Sequence, residues 1–169
     1  MQTSSKITLL ITGGTIDKDY DAISGNLCFS ETHLRELLKE ANCTLDIDIK
    51  ILVLKDSLEI TRQDRDAIAL ACKNADSNDI VISHGTDTMV ETAQHLLNSE
   101  ETDLTNKTIV MTGAMRPFKL GASDASFNIG SALMATQLTP PGVFIAMNGK
   151  LFNANQVTKN RLVGVFQST

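Results

Sequence analysis

Four short segments concentrate the reactive side chains of this 169-residue chain. They are Gly13-Gly14-Thr15, Asp56-Ser57, His84-Gly85-Thr86-Asp87-Thr88 and Gly113-Ala114-Met115-Arg116-Pro117. Together they offer the hydroxyls of Thr15, Ser57 and Thr86, the carboxylate of Asp87 and several glycine backbone amides. That mixture suits covalent acyl chemistry, in which a hydroxyl attacks a carbonyl and backbone N–H groups hold the oxyanion. Metal chemistry is not indicated. His33, His84 and His95 are dispersed, and no H-x-x-x-H occurs.

Competing motifs are absent or incomplete. There is no G-x-G-x-x-G, no G-x-x-x-x-G-K-[ST] and no G-x-S-x-G. Asp17, Asp19 and Asp21 mimic the opening of a calcium loop, but Ala22 stands where its glycine belongs and Cys28 where its glutamate belongs. Cys28, Cys43 and Cys72 form no C-x-x-C pair, so reduced, partly buried and inert thiols are expected.

The elements that must position these residues follow from hydrophobic periodicity. Lys6–Thr12 reads as a buried strand ending at Gly13-Gly14. Residues 15–29 lack a period and read as a long loop, a kind that often carries function. Ser30 is the expected cap of a helix running to about Glu40. Leu45–Leu54 reads as a second strand. Thr61 with Asp64 three residues on opens a helix that ends near Asn74. Asp79–Ser83 is a third strand, followed by a helix from about Thr88 to Leu97. Thr108–Thr112 is a fourth strand, followed by a helix from about Ser123 to Ala135. Val143–Met147 is a fifth, and Asn148-Gly149 has the signature of a tight hairpin turn.

Strand and helix alternate, which predicts an α/β fold. The expected form is one doubly wound, Rossmann-like, mostly parallel sheet with helices on both faces and a C-terminal hairpin. The whole chain, 1–169, is expected to be a single domain. Each of the four polar segments lies just past the carboxyl end of a strand. In a parallel sheet those ends share one edge, and ligands bind in the crevice there. The four segments should therefore converge on one pocket.

Composition excludes several partners. Net charge is −5 with no basic run, which argues against nucleic acid. The apolar run Ile7–Ile11 is too short for a membrane span or a signal segment. A cytoplasmic protein is expected.

T-G-G-T-I at 12–16, H-G-T-D-T-M-V-E-T-A at 84–93 and G-A-M-R-P at 113–117 resemble the two threonine signatures and the following loop of bacterial L-asparaginases. V-T-K-N at 157–160 is similar to that family's lysine segment. The resemblance covers the chain from Thr12 to about Gln167, and its ten-residue segment is highly specific. It implies the parallel fold above and hydrolysis of L-asparagine without a cofactor. It implies Thr15 as nucleophile, Tyr20 as its loop partner, and Thr86, Asp87 and Lys159 as catalytic residues. Ser57 is implied to bind the substrate α-carboxylate, with Leu58 beside it and Gly85 in the same loop. Gly14 and the Thr86 amide are implied oxyanion donors, and the Ala114 carbonyl faces the departing amide. The activation of Thr15 is left open: either Tyr20 or Lys159 could take its proton, and Asp87 opposes deprotonation of Lys159.

The chain departs from that family in two ways. Leu58 stands where many members carry a glutamine that contacts the substrate, and an apolar side chain cannot replace that bond. The family's smaller C-terminal domain, expected to be missing, supplies an acidic residue from a neighbouring subunit. Asp17, Asp19, Asp21 or Glu31 could stand in. A homodimer or homotetramer is expected. Other readings are an amidase for glutamine, a D-amino acid amide or a peptide amide, and an amino-acid-binding module with little turnover. A tRNA-dependent amidotransferase subunit is disfavoured by the acidic charge. His84 and Arg116 are expected to be structural, Thr88 a helix cap, and Met111, Met115 and Met134 core residues.

Overall fold

The structure is a computed structural model and describes residues 6–100 and 103–169. Its centre is β1 (Ile7–Gly13), in which every residue is buried. A strand buried on both faces needs covering layers on both, and an unbroken apolar run is its sequence mark. Parallel partners flank it: β4 (Ile47–Lys55) on one side and β5 (Asp79–Ser83) on the other. Beyond β5 come β6 (Thr108–Thr112), β7 (Gly142–Met147) and β8 (Lys150–Asn153), in the order β4-β1-β5-β6-β7-β8. All pairs are parallel except β7–β8.

Helices α2 (Arg62–Lys73) and α3 (Met89–Leu97) contribute Ile68, Cys72, Met89 and Leu96 to one core, against Ile80, Ile82 and Ile109. Helices α1 (Leu34–Glu40) and α4 (Ala125–Leu138) contribute Leu34, Leu37, Ile129 and Leu133 to the other, against Leu9, Ile11 and Val81. The sheet is therefore covered on both sides, as a doubly wound sheet requires. Thr61 and Asp64 form the expected capping box at the start of α2.

Several local expectations change. Residues 15–29 are a short 3-10 turn at Thr15–Asp17 followed by an antiparallel hairpin of β2 (Lys18–Tyr20) and β3 (Leu27–Phe29). The strands are too short to show a two-residue period. Asp21 caps the hairpin tip by accepting from Ile23 N–H and Ser24 Oγ–H. Ser30 does not cap α1; His33 holds that position, and the Ser30 hydroxyl donates to Asp19 instead. Helix α4 runs a turn further than periodicity suggested, to Leu138. Asn148 and Gly149 adopt φ of +56° and +73°, the pair a tight primed turn needs. A second hairpin follows, β9 (Val157–Asn160) with β10 (Val165–Ser168). Met111 is core, but Met115 and Met134 are 42% and 56% exposed. Cys28 is exposed rather than partly buried.

Candidate active site

Register brings the strand ends level. Ile11 of β1 pairs with Ser83 of β5, and Ser83 with Thr112 of β6. The order of the sheet reverses at β1, since the chain leaves β1 for β4 and returns on its other side as β5. That reversal point, between the carboxyl ends of β1 and β5, is where doubly wound sheets open a crevice.

The loops at that edge interlock through glycine. Gly14 has φ of +83°, and a Cβ there would lie 2.4 Å from the Gly85 nitrogen. A Cβ on Gly85 would lie 2.6 Å from the Ser57 Cβ, and one on Gly113 would lie 2.3 Å from the His84 oxygen. Each of these approaches is too close for any side chain. The segments after β1, β4, β5 and β6 are thus in contact.

Lys159 arrives from β9, more than seventy residues away along the chain from its partners. Its ammonium donates to Thr86 Oγ1 at 2.8 Å and to Asp87 Oδ1 at 2.7 Å. Lys159 is 8% exposed and Asp87 42%. Arg161, two residues on, donates to the Asp87 carbonyl at 3.2 Å. Arg161 lies in the turn just past β9, so no strand periodicity marks it as a partner of Asp87.

Ser57 is buried, and its carbonyl accepts from the Thr88 hydroxyl at 2.7 Å. Thr88 precedes α3 as expected, but its side chain makes no cap bond and ties the β4 and β5 loops together instead. Leu58 is 68% exposed and Ala114 is buried. Thr15 is partly exposed at the start of its 3-10 turn, and its hydroxyl has no hydrogen-bond partner among the described residues.

Two assignments shift. The Gly14 N–H donates to the Lys55 carbonyl at 2.9 Å, so it is already spent and does not face a ligand. Tyr20 makes no hydrogen bond to Thr15. It sits at the end of β2, 57% exposed and opposite Leu27, with no hydrogen bond among the described residues.

Most of the acidic stand-ins are also committed elsewhere. Asp17 is buried and accepts from Thr32 Oγ1 and the His33 N–H. Burial pushes its carboxyl above the usual range, against those two bonds. Asp19 lies 2.9 Å from His33 Nε2. Asp21 is used at the hairpin tip. Glu31 is exposed. The hairpin base is held on its other side by Lys18, which donates to Asp56 beside Ser57 and holds the Asp56 carboxyl below its usual range. Spacing could not have found the Lys18–Asp56 pair, because their contact depends on how the hairpin folds back.

His84 is fully buried and, as expected, bonded within the fold. Burial pushes its pKa down to about 4. Arg116 likewise donates to the Gly121 and Leu120 carbonyls, while Asp124 accepts from the Met115 and Arg116 amides. Among the described residues, no group of three His, Cys, Asp or Glu is placed to hold a metal ion. No helix among them is long and apolar enough to cross a membrane.

Comparison with known proteins adds a lineage. Residues 6–168 match the family model described as asparaginase, N-terminal. The chain is 32% identical over 173 residues to a probable periplasmic L-asparaginase of Haemophilus influenzae, covering 94% of this chain and 47% of that one. It is 31% identical over 171 residues to the glutaminase-asparaginase of Acinetobacter glutaminasificans, covering 92% and 50%. A crystal structure of a probable cytoplasmic L-asparaginase from Campylobacter jejuni superposes with a TM-score of 0.79 at 28% identity, covering 97% of this chain and 53% of that one. The chain thus spans about half the length of the relatives it matches.

Proposed function

This chain belongs to the asparaginase family, matching its N-terminal domain, and we propose that it hydrolyses L-asparagine to L-aspartate and ammonia through an acyl-enzyme on Thr15. The observation that carries the reading is the Lys159 bridge to Thr86 and Asp87, set against the loop that Gly14 and Gly85 pack beside Thr15.

The Thr15 hydroxyl attacks the side-chain amide carbon, and its proton passes to Tyr20 as phenolate or to Lys159 as the free amine, whichever has first given up its own proton to solvent. The carbonyl oxygen becomes an oxyanion held by the Thr86 N–H. The Thr15 N–H replaces Gly14 as the second donor, because the Gly14 amide is spent on Lys55. The C–N bond then breaks, and ammonia leaves past the Ala114 carbonyl with a proton returned to it. Water polarised by Thr86 and Lys159 cleaves the Thr15 ester and releases aspartate. Ser57 and Asp87 hold the charged end of the amino acid. Leu58 is exposed and offers that end no hydrogen bond.

Thr15→Ala should abolish ammonia release from asparagine while circular dichroism and the melting temperature stay near wild type; ammonia release by that variant would end the nucleophile assignment. A second reading is favoured by the glutaminase-asparaginase among the relatives. Here glutamine or another primary amide is turned over as readily, and a panel of amides in the same assay separates the two. Homo-oligomers and a cytoplasmic location belong to the same proposal. Analytical ultracentrifugation reads the first and cell fractionation the second.

A further inference from the structure

We propose that His84 is a positioning residue that aims the Thr86 N–H at the crevice, through its bond to the carbonyl of the same peptide. This deepens the hydrolase reading above and rests on it.

The bond directions follow from the two ends of a buried chain. Arg65 Nε–H can only donate, and it donates to Thr92 Oγ1 at 3.0 Å. Arg65 is itself held by Glu91 at 3.3 Å. The Thr92 hydroxyl keeps its own proton free for His84 Nε2, 3.0 Å away. At the other end the Gly85 carbonyl can only accept, so the single ring proton of neutral imidazole sits on Nδ1 and Nε2 accepts from Thr92. Nδ1–H donates to the Gly85 carbonyl at 2.8 Å. Burial, which holds the ring uncharged at neutral pH, keeps this one tautomer.

The Gly85 carbonyl and the Thr86 N–H belong to one peptide group, and no peptide bond among the described residues is cis. In a trans peptide C=O and N–H point in opposite directions. Fixing the carbonyl inward against His84 therefore fixes the N–H outward. Glycine at 85 has no Cβ to hold this peptide, and Gly14 and Ser57 pack too closely to admit one. The ring supplies the constraint that residue 85 cannot. A leucine at 84 would fill the same core without a polar chain to satisfy, so packing alone does not call for histidine.

Two amide side chains separate the halves of the ring. In His84→Asn the side-chain nitrogen falls near Nδ1 and keeps the Gly85 bond. In His84→Gln it falls near Nε2 and keeps only the Thr92 side. With asparagine as substrate, H84Q should lose about 10²-fold or more in kcat, the cost of a misaimed oxyanion donor, with KM within about threefold. H84N should stay within about tenfold of wild type in kcat. Thermal melting of both identifies any loss due to unfolding. Equal loss of kcat in two folded variants, or a loss confined to KM, overturns the proposal. Amide NMR reads the same point without turnover: aspartate should shift the Thr86 N–H in wild type and H84N but not in H84Q. An aspartate-induced Thr86 shift in H84Q as large as wild type's overturns the positioning role. A wild type that releases no ammonia, with the Thr86 shifts as expected, overturns the hydrolase reading alone.

Discussion

Lys159 touches two oxygens of adjacent residues, Thr86 Oγ1 and Asp87 Oδ1. Replacing it with methionine keeps the length of the unbranched stem and removes the ammonium that makes both bonds. Asp87 is partly exposed, so the carboxylate left behind stays hydrated and the fold should tolerate the change. Lys159→Met is expected to lower kcat by about 10²- to 10⁴-fold, the range of a lost acid–base or proton-handling group, with little change in melting temperature. Steady-state kinetics and a thermal melt check both halves. The histidine prediction belongs to this scale as well, since the position of one ring nitrogen decides it. The residue types of this site were legible early: hydroxyls, glycine amides and one carboxylate after strand ends. The spent Gly14 amide was not, because a backbone donor shows its partner only once the β4 strand end lies beside it.

At the scale of elements, the β2–β3 hairpin is the least supported piece near the crevice. Three-residue strands supply few ladder bonds, and an isolated two-stranded hairpin is marginal in water. It is pinned at its base by the Lys18–Asp56 pair and by Asp19 beside His33. Lys18→Ala should raise amide hydrogen exchange across residues 18–29 while leaving β1 and β5 protected; unchanged exchange would show that the pair does not hold the hairpin. If Tyr20 serves Thr15 from this hairpin, the same variant should lose kcat as well. Helix α2 depends on its capping box. Thr61→Ala removes one side of that box and should cost about 1 kcal/mol, read by urea unfolding. The capping box, and the β5 and β6 strands with their bounds, were visible in sequence because they depend on local spacing. The Ser30 cap was misplaced because α1 begins only at Leu34, beyond the reach of Ser30; its hydroxyl donates instead to Asp19, which meets it only across the folded hairpin.

For the whole molecule, two buried groups set opposing slopes of stability against pH. His84 ionises near 6.5 when unfolded and near about 4 when folded. Between those values the unfolded chain binds more protons, so stability falls as pH drops through that window. The loss should approach about 3 kcal/mol by pH 4. Asp17 acts in the opposite sense: its carboxyl is raised from 3.8 by burial, so its contribution is present below 3.8 and lost as pH rises through the raised value. Urea midpoints from pH 7 to pH 4 should fall in the wild type and fall less in H84N, which lacks the titrating ring. Parallel curves would show that His84 does not carry the slope. The doubly wound sheet, its two covered faces and the meeting of four loops at one edge could all be read from alternating elements. That legibility has a physical cause: parallel strands force their carboxyl ends to one side, whatever the side chains. What the tertiary fold alone decided is which groups are free to act. The β9–β10 hairpin folds Lys159 and Arg161 onto Asp87, β4 takes up the Gly14 amide, and Arg65 and Thr92 close the hydrogen-bond chain on His84 Nε2. Each depends on a partner distant in sequence, and neither periodicity nor motif spacing carries a record of such contacts.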